Sequence, residues 1–124
     1  GGELSRVMLA IKSMISQKTL LPTIIFDEID TGISGETGKR VGGILRKMSE
    51  SMQVIAITHL PQIASRGDSH MLVFKEVENG LTRTYLKNLT QDQRITEIAK
   101  MLGGKKPSDH MVETAKELIF NKET

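Results

Sequence analysis

The sequence predicts one α/β domain with a parallel β-α-β core, an antiparallel hairpin and two carboxy-terminal helices. Two short apolar runs, 23–26 and 53–58, lack alternation, which indicates strands buried on both faces. Apolar residues at helical spacing between these runs predict the helix that joins them. Asn79-Gly80 lies between two β-rich runs and is a strong hairpin signal. We therefore expect a parallel unit whose sheet continues into the hairpin.

Composition excludes several classes of function. The 124 residues include no cysteine, which excludes thiolate zinc sites, iron–sulfur clusters and cysteine nucleophiles and fits a reducing, cytoplasmic location. A net charge of +2 and 3% aromatic residues predict neither a basic nucleic-acid groove nor a stacking platform for single strands. No apolar run approaches the roughly 20 residues that cross a bilayer, so we expect no membrane partner.

The first elements should be a helix, a strand, a loop and a second helix. Apolar residues of 4–15 recur at helical spacing after Gly1-Gly2-Glu3, which predicts an amphipathic helix. The first strand stops at Asp27 and a loop rich in Gly, Ser and Thr follows. Ser34 is placed to cap the next helix. The apolar stripe of that helix consists of Val41, Ile44, Leu45, Met48 and Met52.

The second strand and the hairpin come next. The second apolar run ends at His59, shortly before Pro61, because proline does not continue a central strand. The hairpin arms are the runs 71–78 and 81–89.

Two helices complete the predicted fold. Thr90 and Gln93 have the spacing of a capping box at the start of the first of them, and Gly103 is placed to end it. The last helix carries the apolar residues Met111, Val112, Ala115, Leu118 and Ile119.

Polar side chains follow both predicted parallel strands at their carboxyl ends. Asp27 and Glu28 follow the first strand, and His59 follows the second. Neighbouring parallel strands end at the same edge of the sheet, where ligands bind in open α/β folds. One carboxylate there can hold Mg²⁺, the other can orient or deprotonate a water, and the imidazole can reach a phosphate. The alternatives are an acidic loop and a packed or solvated histidine; His70 and His110 have no metal-ligand spacing and are expected at the surface.

Three segments resemble, in their usual order, the motifs of ABC-type ATPases. Gly1-Gly2-Glu3 is similar to the signature motif, 24–30 to the Walker B motif, and 57–59 to the segment of the switch histidine. Within that superfamily, the chain resembles the carboxy-terminal part of the RecN family of bacterial SMC-like DNA repair proteins. The segments that carry this closer resemblance are 26–35, 58–64, 67–70, 82–84 and 94–102.

The resemblance implies ATP hydrolysis with Mg²⁺ and gives a role to each matching residue. Asp27 would hold Mg²⁺, Glu28 would activate or orient the attacking water, and His59 would contact the γ-phosphate. Ser34 stands where many ABC ATPases have an aspartate. The further nucleotide-binding positions that the resemblance implies are Gly1, Gly2, Glu3, Asp30 and Ser34.

The sequence holds no phosphate-binding P-loop. Gly38-Lys39 lacks the context of one, because Ile33 occupies the required glycine position and Arg40 that of the metal-binding Ser or Thr. In SMC-like proteins the P-loop half comes from the amino terminus across a long coiled coil. The resemblance therefore makes residues 1–124 the carboxy-terminal lobe of a split ATPase head, inactive by itself. It implies as partners the P-loop half, a second head in a homodimer and, through the full-length protein, DNA in the nucleoid of the cytoplasm.

Three other functions fit parts of the pattern. A lobe of another SMC, Rad50-like or transporter ATPase keeps the same chemistry, although Ile29-Asp30 in place of the usual Pro-Thr argues against a transporter. A metal-dependent phosphoesterase would combine the acidic pair with a third carboxylate. An interaction module would use exposed apolar sheet edges.

Overall fold

The computed structural model describes Arg6, residues 8–10 and residues 23–121. Arg6 and residues 8–10 are helical, and the other residues of the predicted first helix lie outside the described residues. Four strands and four further helices follow in the described part of the chain. In order they are β1 (Thr23–Asp27), α1 (Gly35–Met48), β2 (Gln53–Ile57), α2 (Pro61–Ala64), β3 (Met71–Glu78), β4 (Leu81–Asn88), α3 (Gln91–Gly103) and α4 (Asp109–Phe120).

The predicted parallel β-α-β unit is confirmed. Strands β1 and β2 pair in parallel, with a register that runs from Thr23 opposite Gln53 to Asp27 opposite Ile57. Helix α1 connects them along the chain. Both strands therefore end at one edge of the sheet.

Only one face of this parallel sheet is covered by described residues. Ile24 and Phe26 of β1 point into a core that α1 closes with Val41 and Leu45. The opposite face is exposed: Ile25 is 59%, Ile55 42% and Ile57 54% accessible. The prediction of burial on both faces is therefore wrong for the described chain, because no described element packs on the second face. The buried members of this first core are Leu9, Ile24, Phe26, Ile29, Val41, Leu45, Met48, Met52 and Ile63.

The hairpin forms a sheet of its own. Strands β3 and β4 pair in antiparallel register from Met71 opposite Asn88 to Glu78 opposite Leu81. In the described chain they make no ladder with β1 or β2, so the expected continuation of the parallel sheet is wrong. The turn itself is as predicted, with φ of 51° at Asn79 and 78° at Gly80.

Helices α3 and α4 form a second, smaller core. Ile98, Ala99, Ala115 and Ile119 are its fully buried members. The Thr90 capping box is confirmed, since its hydroxyl accepts from the Gln93 N–H at 3.2 Å. These helices pack beside α2 and so meet the parallel unit.

Helix caps differ from the sequence expectation at two places. Ser34 occupies the N-cap position of α1, but its side chain makes no capping hydrogen bond. Gly103 is the last residue of α3, and Gly104, at φ 88°, takes the left-handed position beyond it.

Helix α2 was not predicted, because Pro61 was interpreted only as the end of the second strand. Pro61 in fact lies in the first turn of α2. Proline is well tolerated there, since the N–H that it lacks would have no partner in the helix.

Glycines let α1 approach α2 closely. A Cβ at Gly42 would lie 2.9 Å from the carbonyl oxygen of Gln62, and one at Gly38 would overlap the side chain of Leu60. Gly38 is thus a packing residue on α1, which agrees with its rejection as part of a P-loop. None of the helices in the described ranges is long and apolar enough to cross a membrane.

Candidate functional site

The structure brings the ends of β1 and β2 together. Asp27 is opposite Ile57 in the parallel register, so Glu28 and Thr58 are the next residues beyond each strand. His59 follows at once and Asp30 lies three residues beyond Asp27. The sequence-predicted carboxylates and imidazole therefore lie at one sheet edge.

Asp30 connects the two strand ends. Its Oδ2 accepts hydrogen bonds from the Thr58 hydroxyl and, at 2.9 Å, from the His59 N–H. The Nδ1 atom of His59 lies 3.3 Å from the same oxygen. Thr58 in turn accepts from the Leu60 N–H at 3.0 Å, which fixes the chain where it enters α2. Asp30 was expected to contact nucleotide; in the described chain its Oδ2 is engaged by the segment of the switch histidine.

The same contacts control the charge of Asp30. Burial by itself raises the pKa of this carboxyl, but the hydrogen bonds from Thr58 and His59, together with the charge of the His59 ring, outweigh it and lower the pKa below 3.8. Asp30 is therefore a carboxylate at neutral pH, able to accept every one of these donors.

Glu28 occupies an unusual backbone position. Its φ is 59°, a left-handed conformation that only one other non-glycine residue shares in the described ranges, Asn79 in the hairpin turn. The Glu28 carbonyl accepts from the Thr31 N–H at 3.3 Å and from the Thr31 hydroxyl at 3.0 Å. Strained positions of this kind cluster at functional sites because the surrounding structure must enforce them.

The other expected site residues are distributed unevenly. Asp27, Glu28 and His59 are exposed at the sheet edge, and Ser34 is exposed at the start of α1, where its carbonyl accepts from the Gly38 N–H at 2.8 Å. Gly1, Gly2 and Glu3 lie outside the described residues. Their predicted nucleotide contact stays a prediction.

The carboxylates suit a partly solvated magnesium ion. Within the residues that the structure describes, no group of three or more His, Asp or Glu side chains could hold a metal ion. Mg²⁺ needs no such cage, because one or two carboxylates commonly bind it together with water and substrate phosphates. The exposed Asp27 and Glu28 fit that mode and do not fit a dedicated all-protein metal site.

Sequence reasoning missed the support behind His59. Arg94 of α3 donates from Nη2 to the carbonyl oxygens of Ala64, Ser65 and Gly67, and so fixes the segment that follows the histidine. Arg94 had no predicted role beyond the resembling segment 94–102, whereas the structure buries it at 5% exposure. His70 was also expected at the surface; it is partly buried, and burial followed by the charge of Arg94 lowers its pKa below 6.5.

The chain is similar in sequence to RecN proteins. It is 48% identical to the DNA repair protein RecN of Vibrio cholerae over 97% of this chain and 22% of the relative. Identity to RecN of Bacillus subtilis is 44% over 96% of this chain and 21% of the relative. For Rickettsia prowazekii RecN it is 45% over 97% and 22%. The expected resemblance is confirmed, and the chain spans about a fifth of the length of these curated relatives.

The fold is also found among solved structures. A chain from work on the structural biochemistry of ATP-driven dimerization and DNA-stimulated activation of SMC ATPases matches with a TM-score of 0.62 and 21% identity. The match covers 86% of this chain and 63% of that chain. It confirms the predicted α/β fold. No family model matches the chain.

Proposed function

We propose that residues 1–124 are the carboxy-terminal lobe of the ATPase head of a RecN-like DNA repair protein. Identities of 44–48% over at least 96% of the chain carry this proposal. The two strand ends add the chemistry: carboxylates and an imidazole lie at the sheet edge where α/β folds bind ligands. The similarity to RecN proteins favours this lobe over that of a transporter ATPase.

The roles of the residues follow from their chemistry. Phosphoryl transfer requires mainly positioning and neutralisation of charge, and no covalent nucleophile. Glu28 is the group that orients or deprotonates the attacking water, and its carboxylate is exposed at the sheet edge. His59 contacts the terminal phosphate through its exposed ring.

Asp27 is the residue proposed to hold Mg²⁺. When bound, the ion neutralises phosphate charge that the lobe by itself cannot, because the described site has no lysine or arginine at the strand ends. Oriented N–H groups at Gly1 and Gly2, with Glu3 and Ser34, are the further nucleotide contacts that we propose for a second head. Each of these contacts requires ATP delivered by another part of the protein.

The exposed face of the parallel sheet supports a missing P-loop half. Ile25, Ile55 and Ile57 form an apolar surface next to the strand ends. Apolar surfaces of this kind mark places where another element packs. The relatives are several times longer than the matched segment, so they have chain available to cover this face. We propose that the amino-terminal P-loop half covers this face. We also propose that the lobe is inactive without that half.

The remaining partners come from the relatives. The matched relatives are named DNA repair proteins, and the structural neighbour comes from work on ATP-driven dimerization and DNA-stimulated activation. We therefore propose that the whole protein acts in the cytoplasm at the nucleoid, as a homodimer whose heads meet across ATP, and that DNA contacts lie largely outside this segment.

A chimeric enzyme tests the proposal. This chain replaces the matching segment of Vibrio cholerae RecN, and Mg²⁺-dependent ATP hydrolysis is measured for the chimera and its Glu28→Gln variant. We expect turnover in the chimera and a loss of roughly 10²- to 10⁴-fold in kcat in the variant, with ATP still bound. Glu36→Gln, an exposed carboxylate of α1, is the matched control and should keep full activity.

Two results would contradict the proposal. A chimera that folds but hydrolyses no ATP would remove the ATPase assignment, and unchanged turnover in Glu28→Gln would remove the role of that residue. Cleavage of phosphodiesters with Mg²⁺ or Mn²⁺ in the absence of ATP would instead favour a phosphoesterase.

A further inference from the structure

We propose that Asp30 is a positioning residue for His59: its carboxylate fixes the backbone of the histidine and turns the imidazole so that Nε2 is left free at the sheet edge. The purpose of this arrangement rests on the proposed ATPase function. The arrangement itself rests on distances within the described chain.

The first step is that Asp30 is committed to the histidine segment. Its side chain is 1% exposed. A buried carboxylate is costly unless donors surround it. Thr58 and the His59 backbone supply two of those donors to Oδ2. Because Asp30 follows β1 and both donors follow β2, these bonds tie the two strand ends to each other.

The second step concerns the ring of His59. Nδ1 lies 3.3 Å from Oδ2, whereas the side chain as a whole is 80% exposed. Asp30 thus approaches the ring closely enough to orient it. A carboxylate beside Nδ1 favours the hydrogen on that nitrogen, and this choice fixes the state of the other nitrogen.

The third step is the consequence for the site. If the hydrogen is on Nδ1, the nitrogen that lies 3.3 Å from Oδ2 of Asp30, then Nε2 presents a lone pair when the ring is neutral and an N–H when it is protonated. In both states Nε2 is the ring nitrogen left for a phosphate oxygen or a water, and the side chain is 80% exposed. An imidazole without such a neighbour would lose rotamer freedom when it contacts a phosphate or a water. Because Asp30 already restricts the ring, part of this entropy cost is met before the ligand binds.

Nitrogen NMR of the full 124-residue chain tests the proposal. In protein labelled with ¹⁵N-histidine at alkaline pH, the Nδ1 and Nε2 shifts report which nitrogen carries the hydrogen. We expect His59 to be predominantly the Nδ1–H form, in contrast to the exposed His110 in the same spectrum. Asp30→Ala should return His59 to a mixture of both forms.

Further variants keep the test decisive if Asp30→Ala does not fold. Asp30→Asn keeps the volume and an acceptor oxygen but removes the charge, and should also lower the Nδ1–H population. Asp92→Ala, an exposed carboxylate of α3, should leave His59 unchanged. A folded Asp30 variant that retains the wild-type form, or a wild-type His59 that matches His110, would overturn the proposal. This readout needs no nucleotide. The proposal about Asp30 can therefore fail while the ATPase assignment stands, and the ATPase assignment can fail while the proposal about Asp30 stands.

Discussion

Nη2 of Arg94 lies 3.0 Å from the carbonyl oxygen of Ser65, and both residues are almost inaccessible to solvent. The same nitrogen reaches Ala64 at 3.0 Å and Gly67 at 2.6 Å. These carbonyls belong to the end of α2, where helical hydrogen bonding stops and acceptors would otherwise be unpaired. The carboxy-terminal helix pair is thereby fastened to the segment that follows His59.

Replacing Arg94 should destabilise the fold strongly. Arg94→Met keeps much of the side-chain volume but leaves one buried and two partly buried carbonyl acceptors without this donor, which should cost about 3 kcal/mol of unfolding free energy. Urea denaturation followed by circular dichroism measures the loss. Arg83→Met, in the exposed hairpin, should change stability little. Equal effects of the two substitutions would show that the buried hydrogen bonds are not what stabilises this region.

Gly42 should not tolerate a methyl group. The Cβ of Gly42→Ala would lie 2.9 Å from the Gln62 carbonyl, which is backbone and cannot move aside without displacing α2. We expect a loss of about 1–3 kcal/mol, measured by thermal unfolding, despite the better helix propensity of alanine. Gly103→Ala is the comparison, because the three atoms nearest its Cβ all belong to the Met111 side chain, the first of them Cγ at 2.8 Å, and a side chain yields more readily than backbone. If Gly42→Ala were the more stable of the two, the contact between α1 and α2 would be looser than these distances indicate.

The two helix caps should respond differently to the same substitution. Thr90→Ala removes a hydroxyl that accepts the Gln93 N–H and should cost about 1 kcal/mol. Ser34→Ala removes a hydroxyl at the N-cap of α1 that makes no such bond and should cost far less. Chemical denaturation of both variants compares them directly. A cost for Ser34→Ala equal to that of Thr90→Ala would contradict the difference in capping.

Replacing Glu28 by glycine should stabilise the fold. Its left-handed backbone costs an ordinary side chain about 1–2 kcal/mol, and glycine avoids most of that cost. Glu28→Gly should therefore raise the unfolding free energy while abolishing turnover in the chimeric ATPase. Asn79→Gly is the control, since asparagine already tolerates this conformation and should gain less. A destabilised Glu28→Gly would mean that the carboxylate itself contributes to stability.

His70 should make stability fall in mild acid. Burial, followed by the charge of Arg94, lowers its pKa below 6.5, whereas Glu97 acts in the opposite direction. The folded chain thus binds the proton less readily than the unfolded chain. Its contribution is complete above pH 6.5 and is lost as pH falls through the lower folded-state value. His70→Gln should flatten this part of the stability profile, measured by urea titrations at successive pH values, and the exposed His110→Gln should not.

Local sequence signals were sufficient for most elements. The apolar runs, the Asn79-Gly80 turn and the Thr90 capping box each depend on residues close together in the chain, and each is confirmed. Helix α2 escaped prediction because a four-residue helix has no periodicity to detect and Pro61 suggested only an interruption. The separate hairpin sheet and the exposed face of β1–β2 depend on which elements meet, and no local pattern contains that information.

For the candidate site, the chain alone identified the chemical groups. Asp27, Glu28 and His59 could be selected because each follows an apolar run, and parallel pairing then predicted a shared edge. Tertiary structure decided how those groups are held. Asp30 accepts hydrogen bonds from Thr58 and His59. Arg94 of α3 donates to a carbonyl oxygen at the end of α2. The physical reason is that strand and helix propensities act between neighbours in sequence. The partners of a buried carboxylate or guanidinium are chosen by packing across some 28 to 30 residues of chain.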